Sequence, residues 1–116
     1  MDKNNGVVEL EPELSEWLKR LPSGHFASVA FYLDLLAVQG SRLRWPHTRQ
    51  LDSKLRELRF HLDGRAVRIT YWIGPRQKIV PLTVFMKART RTARELNRAR
   101  VALRRRQVNG FARGEN

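Results

Sequence analysis

Between Lys54 and Lys87 apolar and charged residues alternate through two turn signals, and that alternation fixes most of what the chain can fold into. LRELRFHL (55–62) sets Leu58, Phe60 and Leu62 on one parity and Glu57, Arg59 and His61 on the other, the period-2 signature of a half-buried strand. Asp63-Gly64 follows, a pair that favours a two-residue hairpin turn because both positions tolerate positive φ. RAVRITYWI (65–73) then puts Val67, Ile69 and Ile73 on one side and Arg68, Thr70 and Trp72 on the other. After Gly74-Pro75 comes a third strand, KIVPLTVFMK (78–87). Pro81 inside it has no N–H to give a ladder, which predicts an edge position or a bulge.

The rest of the chain reads as cover for the apolar face of this sheet. Val7–Leu10 can form a short first strand, and Pro12 suits the first turn of a helix carrying Leu14, Trp17, Leu18 and Leu21 on one stripe. A second helix begins at Ser23 or Gly24, repeats Phe26, Val29, Ala30, Leu33, Leu36 and Ala37, and stops at Gly40. From Ser41 to Ser53 periodicity is lost, predicting a loop or an irregular edge strand. Trp45 within it reads as a plug for the sheet edge in preference to a stacking platform, because large aromatics mostly supply packing area. Thr92-Ala93-Arg94-Glu95 fits a capping box, and Leu96, Ala99 and Leu103 predict a last, arginine-rich helix over about Thr92 to Arg106 with a frayed tail from 107. The expected class is α+β: a small antiparallel sheet packed against two N-terminal helices, with a basic C-terminal helix. At 116 residues this is one domain over 1–116.

A formal net charge of +12, carried mainly by arginine, makes an anionic polymer the default partner. Arginine's planar fork suits phosphate. Cysteine is absent, which removes disulfides, Cys-based zinc sites and thiol nucleophiles, and fits a reducing cytoplasm. No stretch reaches the ~18 apolar residues of a membrane span. No Gly-rich phosphate loop, GxSxG elbow or HExxH is present, and His25, His47 and His61 lack metal-ligand spacing. The chemistry left is the cationic parity of the sheet: Arg59, Arg68 and Lys87 converge if the strands are neighbours. Fixed cations of this kind can stabilise a phosphorane, and RNA supplies its own 2′-hydroxyl nucleophile, so neither metal nor cofactor is required. A merely solvated polar face is the competing reading.

The ordered set QLDSKLRELRF, DGRAVRITYW and IVPLTVFMKARTRTARELNRAR resembles the RelE/ParE superfamily of toxins, in particular its phage-derived, HigB-like branch. The resemblance implies a toxin of a type II toxin–antitoxin system that cuts messenger RNA on the translating ribosome without a metal. It also implies a cognate antitoxin, typically of helix-turn-helix type. Carried to matching positions, Arg59, Arg68 and Lys87 are the candidate catalytic residues, and Lys54, Arg56, Arg89, Arg91 and Arg94 would hold RNA backbone. Glu57 would act as a base or orient Arg59. Some relatives carry a Tyr or His near the C-terminus for proton transfer, whereas this chain has neither after Tyr71, whose parity assigns it to packing. A non-catalytic gyrase inhibitor of ParE type and a plain basic nucleic-acid-binding module remain open alternatives.

Overall fold

The Asp63-Gly64 turn closes with both residues at positive φ (55° and 80°), and the strands it joins pair in register from Arg56↔Tyr71 to Leu62↔Arg65. In the computed structural model, which describes residues 7–86 and 92–112, four antiparallel strands form one sheet in the order β1-β2-β3-β4. These are β1 (Thr48–Gln50), β2 (Arg56–Leu62), β3 (Arg65–Ile73) and β4 (Ile79–Met86). Three helices complete the α+β fold: α1 (Pro12–Lys19), α2 (Ser23–Gln39) and α3 (Thr92–Ala112).

Pro81 has both of the consequences its chemistry predicts. β4 is an edge strand, and its register with β3 shifts beside the proline, from Thr70↔Thr83 to Tyr71↔Pro81, so that Leu82 is the extra residue. The expected strand at Val7–Leu10 shrinks to a single parallel bridge, Val8↔Ile79. Glu9 N–H donates to the Ile79 carbonyl, Ile79 N–H to that of Val7, and Glu11 N–H to that of Pro81. Pro81 cannot return a bond, so the ladder stops there. The stretch 41–53, read as loop or irregular edge, contains a 3₁₀ turn at Gly40–Arg42 and the short edge strand β1.

The first core lies between the sheet and α1/α2. Leu14, Leu18, Val29, Leu33 and Leu36 pack on Leu58, Phe60, Leu62, Val67, Ile69, Tyr71 and Ile79. Tyr71 is buried there, as its parity predicts; burial raises its pKa, while the Arg56 Nε bond to its hydroxyl (3.1 Å) opposes the rise.

The opposite face departs from a plain polar surface. A second core joins Leu55, Val80 and Leu82 of the sheet side to Ala99, Ala102 and Leu103 of α3, with Trp72 against it. α3 thus packs on one end of this face, and neither Arg59 nor Arg68 belongs to the core it forms. The helix runs past Arg106 to Ala112, because the buried stripe continues at helical spacing through Ala102, Arg106 and Gly110. Its docking is also ionic. Arg106 donates to Glu9 (2.5 Å) and Glu11 (3.3 Å), and Arg98 to Glu13 (2.7 Å). Glu13 in turn accepts the Val84 N–H (2.9 Å) and Arg98 donates to the Val84 carbonyl (3.2 Å), so side chains satisfy the open edge of β4.

This docking carries an acid sensitivity. The Arg106 bond holds the Glu9 carboxyl below its ordinary 4.5 against burial, with Lys78 assisting. The Lys54 N–H does the same for Asp52, ordinarily 3.8, again against burial and with the Leu55 N–H and Arg100 assisting. A depressed folded-state pKa contributes stability that is complete above the unfolded value and lost as pH falls through the folded one. Urea midpoints should therefore hold from pH 7 to about pH 5 and decline below about pH 4.5. A midpoint unchanged at pH 3 would contradict an ionic contribution from these groups.

Candidate nucleic-acid interface

The β2/β3 register places Arg59 directly opposite Arg68. Like charges at facing positions destabilise a sheet, so this pair needs a compensating anion or a function. Arg68 is only 8 % exposed; its Nη1 donates to the Val67 carbonyl (3.1 Å) and its Nε lies 3.8 Å from Glu57 Oε1. Burial lowers the Arg68 pKa, Arg59 lowers it further, Glu57 opposes this and Arg49 adds to it. Guanidinium is so basic that Arg68 stays charged at neutral pH. Around Arg68, therefore, two guanidiniums, Arg49 and Arg59, act against one carboxylate, Glu57, itself 6 % exposed, and among the described residues a positive excess remains.

Glu57 does not orient Arg59. It pairs with Arg68 on the diagonal, not with Arg59, because Thr70 is its direct partner on β3 and Arg49 on β1. Held in this way, Arg68 presents a fixed fork whose geometry is set by one carbonyl and one carboxylate.

Arg59 is placed by a different contact. Its guanidinium carbon lies 4.7 Å from the centre of the Trp45 ring, a cation–π pair. Trp45 is 69 % exposed, so it does not plug the sheet edge; the buried Leu43 and Thr48 on either side of it take that place, with the Thr48 hydroxyl donating to the Leu43 carbonyl. Next to this pair is an open cleft of about 390 Å³, lined by Tyr32, Trp45, His47, Arg59, His61 and Arg68 among others. Tyr32 reaches it from α2 by stacking on Phe60, centroids 4.6 Å apart.

His47 and His61, which the sequence offers no ligand spacing for, line this cleft, and Arg49, opposite Glu57, is a nearby cation the sequence did not single out. The signal for His61 was present in its parity with Arg59, two residues away. That for His47 was not, because it depends on the Arg59 N–H donating to the His47 carbonyl (2.8 Å), a pairing across a loop.

The remaining predicted contacts separate. Lys54 is exposed at the turn before β2, and Arg94 is exposed on α3 beside a groove of about 510 Å³ that Asn97, Arg98, Val101 and Arg105 also line. Arg56 is committed internally, donating to Tyr71, Gln50 and Thr48. Lys87, Arg89 and Arg91 lie outside the described residues. Among the described residues no group of three or more His, Asp or Glu side chains could hold a metal ion, and no helix is long and apolar enough to cross a membrane.

Fold and site together define a small α+β domain with a cationic cleft beside β2, lined by Arg59, His61 and Arg68 of the sheet and by Tyr32 of α2. Residues 16–107 match the family of phage-derived Gp49-like proteins (DUF891), and the chain belongs to that family. The match takes in every sheet strand and both facing arginines. No curated protein matches the sequence.

Proposed function

We propose that this chain is the toxin of a type II toxin–antitoxin system, a HigB-like member of the RelE/ParE superfamily that cuts messenger RNA in the cytoplasm, on translating ribosomes. The observation that carries this reading is the in-register Arg59/Arg68 pair bordering an open cleft. Membership of a family of toxin-like proteins in such systems supports it.

In the proposed reaction a 2′-hydroxyl gives its proton to water as its oxygen attacks the adjacent phosphorus, the P–O5′ bond breaks, and the departing 5′-oxygen takes a proton from water, giving a 2′,3′-cyclic phosphate and a 5′-hydroxyl. Arg68, fixed by Val67 and Glu57, donates to a non-bridging oxygen whose charge grows in the phosphorane. Arg59 steers the phosphate, and Lys87 is assigned to the same site. Backbone contacts fall to Lys54, Arg94, Arg89 and Arg91, since Arg56 is held by its internal bonds. The antitoxin, of helix-turn-helix type, covers the cationic face.

Induced expression followed by mapping of new messenger RNA ends tests the reading. Growth arrest with new 5′-hydroxyl ends is expected. Arrest without new ends would favour gyrase inhibition, and new ends bearing 5′-phosphate would overturn the chemistry.

A further inference from the structure

We infer that the exposed face of Trp45 is a binding subsite for one nucleobase of single-stranded RNA, with the adjoining phosphate seated on Arg59 and Arg68. The inference rests on RNA being what the cleft receives and adds where a base goes.

Four observations converge on it. A large aromatic is kept in solvent at 69 % exposure although the first core is a few residues away, and burial would have been the favourable course for so much apolar surface. Its position is fixed: Leu43 and Thr48 anchor the segment on either side, His47 N–H donates to the Arg44 carbonyl (3.0 Å), and Arg59 N–H bonds back to His47. Arg59 covers one face of the indole, which leaves the other for a planar partner. Finally, the cleft beside it, about 390 Å³, lies toward the small end of the ~300–1,000 Å³ that ligand pockets span.

The lining chemistry selects a base over an aliphatic ligand. Trp45 and Tyr32 provide π-faces, while His47 and His61 bring imidazole nitrogens that can meet the donors and acceptors on a base edge. The cations beside them belong to a phosphate. Stacking tolerates every base because each has a π-face, whereas the imidazole contacts supply preference. The adjacency of Trp45 to Arg59, and of Arg59 to Arg68, gives base and phosphate neighbouring seats on one nucleotide.

Equilibrium binding of the full chain to a short single-stranded oligoribonucleotide with 2′-O-methyl riboses, which cannot be cleaved by the proposed route, provides the test. Trp45→Ala should weaken binding by about 5-fold to 150-fold, the range for losing one stacked base, and Trp45→Phe should restore most of it. A base-free ribose-phosphate oligomer of equal length should bind wild type and Trp45→Ala alike. The salt dependence of affinity should be the same in both, because no phosphate contact is removed. Equal affinity of Trp45→Ala and wild type for the base-bearing oligomer would overturn the inference, as would an equal loss on the base-free one. Since the probe is not cleaved, failure of the nuclease reading would show separately, as induction without new 5′-hydroxyl ends.

Discussion

On the proposed nuclease reading, Arg68→Ala is expected to lower messenger RNA cleavage by about 100- to 1,000-fold, the loss that follows removal of one preorganised donor to a developing oxyanion. The same substitution strands Glu57, 6 % exposed, without the cation beside it. Breaking a buried ion pair from one side costs several kcal/mol; about 3 kcal/mol is the expected size here, at the low end because the separation is 3.8 Å. Lost activity by itself would therefore be ambiguous between chemistry and fold. Arg68→Met with Glu57→Gln removes both charges at similar volume, and should recover most of the stability while leaving cleavage as low as in Arg68→Ala. Arg68→Lys keeps the charge without the fork and should fall between. A soluble, folded Arg68→Ala protein that cleaves at the wild-type rate would remove Arg68 from the reaction.

The second large effect lies far from the cleft. Glu13→Ala should destabilise the domain by about 3 kcal/mol, since a charged hydrogen bond to the Val84 N–H and an ion pair with Arg98 are lost together. In a domain of this size that corresponds to a fall of roughly 10 °C in Tm. Glu13→Gln keeps an acceptor for Val84 but not the charge for Arg98, and should lose about half as much. The bare edge of β4 should also promote association, visible as a concentration-dependent loss of monomer in sedimentation. A Glu13→Ala protein that melts with the wild type would mean that solvent satisfies Val84 and Arg98 equally well.

Much of this architecture was legible because the signals were local. The hairpin was written in the alternation around Asp63-Gly64, the end of α2 in Gly40, and the edge and bulge of β4 in Pro81, each a case where one residue's backbone chemistry admits few alternatives. The second core was harder to see. Ile79, Val80 and Leu82 put apolar side chains on both faces of β4, a pattern of strands buried on both sides, and this is the sign that α3 would cover part of the second face. The site was half legible. Parity brought Arg59 and Arg68 to one face, but the partner of Glu57 depends on a diagonal neighbour that only the register reveals. The arrival of His47 and Trp45 depends on a loop that periodicity cannot describe. Trp45 also misled for a sound reason, since packing is the commoner fate of a tryptophan beside a sheet and nothing in the local sequence says otherwise.

The clasp between α3 and the N-terminal arm has a consequence in time. Arg106 and Glu9 are 97 residues apart in sequence, and Arg98 and Glu13 are 85 apart. Contacts of such separation close late, because chain entropy must be lost before they give anything back. α3 thus completes an enclosure begun by the arm before α1. Until it does, Val84 has no guanidinium on its carbonyl, Leu82 and Val80 have no helix over them, and the nascent chain carries an unfinished strand edge. The second core and the edge of β4 therefore stay unfinished until residues 92–112 have docked, whatever the order in which the other elements settle.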